Sequence, residues 1–236
     1  MRVIDGVARL VVAVADVEAA ARTYAVLLGA EARRFKGADG RAAAFYDCGN
    51  LAFVLVEAVV SRPAGLEAVV FRVADVARGA QGLARCGLPV AEPIETVGPD
   101  GRRWREAAID PSATHGLPLW LFDAPAAGGP GLGLDHVVIR TPHPERAVAL
   151  YGGRLGLDMR LDRANPAWDA RLLFFRCGDL VVELAHVLSE GVSDGSDRFG
   201  GLSWRVADIE ETHKRLTAAG FALSPVRTGR RPGSRV

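Results

Sequence analysis

The chain repeats itself, and the repeat narrows the folds open to it more than any composition does. "VARLVVAV" (7–14) aligns with "LDHVVIRT" (134–141) at an offset of 127 residues. "FYDCGNLAFVLVEA" (45–58) aligns with "FFRCGDLVVELAHV" (174–187) at an offset of 129. "FRVADVARGAQGLARCGL" (71–88) aligns with "WRVADIEETHKRLTAAGF" (204–221) at 133. Tyr24 falls on Tyr151 and Gly29 on Gly156. The offset only grows along the chain, as extra loop residues would make it. A tandem duplication accounts for all of this. Its joint lies near "APAAGGPG" (124–131), where Gly, Ala and Pro disfavour packed structure.

Each half divides again. A strand-like apolar run leads to an Asp, then an amphipathic helical pattern, then a Gly. Asp is a good N-cap and Gly a good stop just past a helix. After the helix of the third unit come "DMRLDR", "ARLLFFRCG" and "LVVELAHV", rich in Val, Leu and Phe, with Gly-Asp as a turn. The unit therefore reads β-α-β-β-β, and four copies start near residues 7, 66, 132 and 200. The expected organisation is α+β. A first domain over 1–125 holds modules 7–60 and 65–123, and 126–131 form a linker. A second domain over 132–236 holds modules 132–190 and 198–236. The fourth module is short. Arg235-Val236 matches Arg103-Trp104, so most of the last two strands of that module are expected to be missing.

Charge and composition exclude several functions. The formal net charge is +1, from 29 basic and 28 acidic side chains, which leaves no electrostatic footprint for nucleic acid or an anionic membrane. No apolar run reaches the ~18–20 residues a bilayer span needs. The apolar N-terminus is broken by Asp5, Arg9 and Asp16, unlike a signal peptide. Cys48, Cys86 and Cys177 form no CxxC pair, which suits a cytoplasmic protein with reduced thiols.

"LDHVVIRTPHPERAVALYGGRLGL" and "FRCGDLVVEL", with the repeat order, resemble the vicinal oxygen chelate superfamily. That group includes glyoxalase I, extradiol dioxygenases, methylmalonyl-CoA epimerase and bleomycin-resistance proteins. The resemblance covers nearly the whole chain. It implies paired βαβββ modules whose sheets curl into cups. It also implies that the first and fourth strands of a module can each supply a metal ligand.

Strands alternate faces with period two. His136, Val138 and Arg140 share one face, and Val181, Glu183 and Ala185 share another. The resemblance turns both faces toward the cup. It makes His136 and Glu183 the expected ligands of a divalent metal (Zn, Fe, Mn or Ni), with Glu183 also the candidate base. Arg140 and Arg205 are placed to hold an anionic substrate, and Ser203 takes the third ligand position as a weak donor. His186 has the wrong parity, while His115, His143 and His213 read as loop or surface residues. In the first domain the four ligand positions become Arg9, Val54, Val70 and Trp120, which is no ligand set. With Arg72, that cup reads as suited to a flat or anionic organic ligand, or as filled by its own side chains. Three readings stay open. One is a metal-dependent lyase, isomerase or dioxygenase working in the second domain. Another is a metal-free small-molecule binder of the bleomycin-resistance kind. The last is a scaffold or homodimer without a small ligand.

Overall fold

The protein is described by a computed structural model, which describes residues 3–37, 39–60, 64–97, 103–123, 133–229 and 233–236. The predicted linker, residues 126–131, lies outside the described residues.

The first repeat forms an eight-stranded sheet and the second a five-stranded one. In the first, β1 (Ile4–Val14) and β5 (Gly65–Val73) lie antiparallel at the centre. β4 (Ala52–Glu57), β3 (Ala42–Asp47) and β2 (Arg33–Lys36) extend one side. β8 (Leu119–Phe122), β7 (Arg103–Ala108) and β6 (Ile94–Val97) extend the other. The second sheet runs β10 (Asp158–Asn165), β11 (Ala170–Cys177), β12 (Leu180–Val187), β9 (Gly133–Arg140), β13 (Arg198–Arg205). It thus reproduces β2-β3-β4-β1-β5 strand for strand, and β13 is its edge. The chain after α4 (Ile209–Ala218) closes a short hairpin bridge, Thr228 to Arg235, rather than adding strands to the sheet.

The expected caps form. The carboxylates of Asp16, Asp75 and Asp208 accept from backbone N–H groups in the first turns of α1 (Val17–Leu28), α2 (Val76–Arg85) and α4. Such caps are each worth about 1 kcal/mol. The third helix departs from expectation. Only Pro144–Ala147 is α-helical (α3), and Val148–Arg154 continues as a π-helical turn closed by Leu155 N–H donating to Leu150 O at 2.9 Å. Gly152 and Gly153 weaken α-helical preference there. A Cβ on Gly152 would meet the Phe175 ring at 3.4 Å, so the turn lies close against the sheet.

One apolar core lies between helices and sheets and runs through both repeats, from Leu10, Phe53 and Phe71 to Val137, Tyr151 and Leu184. Phe53 and Trp204 meet across the repeats at 5.5 Å, edge to face. The two Cys-Gly turns fasten the halves reciprocally. The side-chain amide of Asn50 donates to Leu134 O at 2.8 Å and accepts from Leu134 N at 2.9 Å. Gly178 sits against the start of β1, where a Cβ would come within 2.9 Å of the Asp5 carbonyl. Cys48 is a buried free thiol whose pKa burial pushes up to about 12, which disfavours the thiolate. Among the described residues, no helix is long and apolar enough to cross a membrane.

Candidate functional site

Register places the four repeated positions face to face. Arg9 pairs with Val70 and His136 with Ser203. Val54 pairs with Val11, and Glu183 pairs with the matching Val138. Each first strand also carries a bulge at one shared place. The register skips Ala8 between Val7 and Arg9, and Asp135 between Leu134 and His136. A bulge puts two successive residues on one side of a strand. Leu134 and Val137 go into the core, while Asp135 and His136 both stay half-buried beside the cup.

In the second cup this joins three side chains. His136 Nδ1 lies 2.7 Å from Asp135 Oδ2, and Nε2 lies 3.6 Å from Glu183 Oε2. With its proton on Nδ1 the ring donates to Asp135 and turns Nε2 toward Glu183. A carboxylate oxygen and an imidazole lone pair then face each other across the gap. Two acceptors in that position attract a proton, a donor group or a cation. The Phe174 ring, opposite Glu183 in the sheet, stacks near His136 at 6.3 Å. His186 lies on the other face, buried, with Nδ1 3.1 Å from Thr141 O.

The other expected site residues fall in separate places. Ser203 borders His136 from the edge strand. Arg205 is tied to the rim, reaching Asp135 Oδ1 at 3.1 Å, Leu134 O at 2.9 Å and Asp179 O at 2.7 Å. Arg140 ends β9 exposed to solvent. In the first cup, Arg72 donates to Asp5 at 2.6 Å near the beginning of β1. Arg9 pairs with Glu106 of β7 and lies 4.8 Å over the Phe122 ring. Register puts Phe122 at the counterpart of Val54, with Trp120 two residues before it on the same face. Val70, Phe122, Trp104 and Trp120 cluster around this pair, and Ala13, Ala43, Val54 and Val56 pack the remainder of that cup.

Two residues escaped sequence reasoning. Asp135 is hidden by the bulge, since strict alternation sends it to the face opposite His136. Its signal is its place directly before the histidine. Glu106 alternates with Trp104 on one face of "RWREAA", a pattern that gains meaning only once β7 is placed across from Arg9.

Residues 135–236 match the profile of the Glyoxalase/Bleomycin resistance protein/Dioxygenase superfamily. Solved structures carry the likeness across both repeats. A 4-hydroxymandelate synthase variant from Streptomyces coelicolor superposes with TM-score 0.70 at 18% identity, over 93% of this chain and 76% of that one. The profile thus covers the second repeat, and the first repeat shares the fold of these structures. The Mn(II)-bound glyoxalase from Novosphingobium aromaticivorans gives TM-score 0.67 at 14% identity, over 97% of this chain and 74% of that one. A halotolerant catechol dioxygenase gives 0.61 at 16% identity, over 97% and 78%. At these identities the likeness is one of fold. No curated protein matches the sequence.

A superfamily cup implies a divalent metal, and the residues present fit it in part. Metal–ligand distances of about 2.0–2.2 Å place neighbouring donors roughly 3–3.5 Å apart, close to the His136–Glu183 gap. Asp135 behind Nδ1 is the usual support for a ligating imidazole. Among the described residues, however, no three His, Cys, Asp or Glu side chains converge on one point. The pair supplies two donors, and Ser203 offers only a hydroxyl.

Proposed function

We propose that the second cup is the working one and that it holds a small organic molecule against His136 and Glu183. The observation that carries this reading is the 3.6 Å gap between Nε2 and a carboxylate oxygen, with the imidazole held from behind by Asp135. Asp135 keeps the proton on Nδ1 and orients the ring. His136 Nε2 is then a lone-pair donor, and Glu183 is placed to take a proton from a carbon or hydroxyl beside it. Phe174 and Leu172 exclude water from one wall. A divalent cation bound by His136 and Glu183 would supply Lewis-acid polarisation of a substrate oxygen. This supports lyase, isomerase or dioxygenase chemistry of the superfamily's kind.

A second reading is metal-free binding, in the manner of a resistance protein. The lack of three convergent donors among the described residues favours it.

Thermal unfolding of metal-stripped protein with added Mn²⁺, Zn²⁺, Fe²⁺ or Ni²⁺ separates the two. A ligand that binds only the folded state raises Tm. The first reading expects at least one ion to raise Tm by several degrees in the wild type and to do nothing for His136→Ala or Glu183→Gln. Equal response of all three proteins, or none from any ion, leaves metal-free binding.

A further inference from the structure

The two cups can be compared row by row across their strands. In the first cup, Gly65, Ala13, Val56, Ala43 and Phe35 stand side by side on neighbouring strands. Ala13, Val56 and Ala43 are buried and Phe35 packs on them. The matching row of the second cup is Arg198, Arg140, Ala185, Leu172 and Arg163. Three arginines thus replace Gly65, Ala13 and Phe35. Directly paired residues share a face. Phe199, Ile139 and Leu173, adjacent in sequence to members of this row, point into the core, so the row itself faces the cup.

These arginines differ from those already committed to carboxylates. Arg72, Arg146, Arg171 and Arg205 each reach a carboxylate. Arg140, Arg163 and Arg198 are exposed, and among the described residues none of them joins an ion pair. Arg163 instead lies 5.5 Å over the ring of Trp168, itself 41% exposed in the turn after β10. Room is kept beside Arg140 by Gly200, at a bulge in β13: a Cβ there would lie 3.3 Å from the Arg140 side chain and 3.0 Å from that of Val138. Unpaired guanidiniums repel one another, so three on one rim favour an anion that can answer them.

Below the row the wall is apolar. Phe174 and Leu161 pair on β11 and β10, with Leu172 above them and Val138 across the sheet. At roughly 3.3 Å per residue, Glu183 lies about 7 Å down the wall from the arginine row and His136 about 13 Å.

We infer that the second cup takes an organic acid, with its carboxylate or phosphate held at the rim by Arg140, Arg163 and Arg198. Its apolar body lies along Phe174, Leu161 and Leu172, and its reacting end meets His136 and Glu183. This rests on the second cup being the working one. Arg140, Arg163, Arg198 and Trp168 then determine specificity, while Asp135, His136 and Glu183 act at the far end.

The test is calorimetric titration with 3-phenylpropionate and its uncharged amide, using wild type, Arg140→Gln, Arg163→Gln, Arg198→Gln and His136→Ala. The three arginines are exposed, so their variants should fold, and thermal unfolding checks this. The expected result is carboxylate binding that weakens roughly tenfold with each arginine change, fades with salt and exceeds amide binding. His136→Ala should still prefer the carboxylate to the amide, because the charge is held at the rim. Carboxylate and amide binding alike, or carboxylate binding untouched by all three arginine changes, would overturn the anion site and leave the working cup standing. Binding of neither probe would overturn it too. The response of His136→Ala to metal ions judges the polar pair separately.

Discussion

The two cups share a lattice and differ in what fills it. Where the first carries Ala8 and Arg9 at its bulge, the second carries Asp135 and His136. Where the first has Val54, the second has Glu183. Phe45 and Phe174 keep the same place in both. In the first cup the one strongly polar residue at a ligand position, Arg9, is answered from within by Glu106 and covered by Phe122. Apolar side chains complete the filling. In the second cup the polar pair leaves a gap, and the arginines along the rim lack carboxylate partners among the described residues. A duplicated fold can thus fill one copy with its own side chains and leave polar groups facing a gap in the other. The strands need not change for this, only the side chains on one face.

Exchanging the rim residue is the most severe way to break that comparison. Ala13 and Arg140 occupy equivalent points, one 1% exposed and the other in solvent. Ala13→Arg forces a charge and a whole guanidinium-tipped side chain into a packed cup and should cost at least about 3 kcal/mol. Arg140→Ala should change stability by no more than about 0.5 kcal/mol. Urea denaturation of both variants decides it. Equal costs would mean that the first cup is as open as the second.

A smaller effect sharpens the same contrast. Glu106→Ala leaves the Arg9 guanidinium without its carboxylate among aromatic rings and should cost about 2 kcal/mol. The paired change Arg9→Met with Glu106→Leu should recover most of that, because an apolar pair of similar volume replaces both charges. Should the double variant be no more stable than Glu106→Ala, the pair has a role beyond filling the cup.

Much of this was legible in the chain. The repeat offsets, the Asp caps and the alternation of "LDHVVIR" and "LVVELAHV" lead to the strand-helix units, and the family resemblance brings His136 and Glu183 to one cup. Parity also puts His186 on the face opposite Glu183, where it lies buried. What alternation could not show depends on departures from it. Asp135 joins His136 only because a bulge breaks the period-two rule. The π-helical turn at Val148–Arg154 carries no such signal in the alternation of apolar residues. Glu106 and the arginine row need cross-strand register, which joins residues far apart in sequence. Arg205 reads as a substrate contact by face alone, yet the structure gives it Asp135, Asp179 and the Leu134 carbonyl as partners.

The central claim, one working cup centred on His136 and Glu183, is tested most directly by Mn²⁺ titration followed by electron paramagnetic resonance, which counts bound ions through the loss of the free-ion signal. The account predicts one site per chain in the wild type and none in His136→Ala. It also predicts weaker binding, by roughly tenfold or more, in Asp135→Asn, where the support behind Nδ1 is altered. A manganese site that survives in His136→Ala would contradict it, and no bound manganese in the wild type would leave the metal-free reading of the same cup.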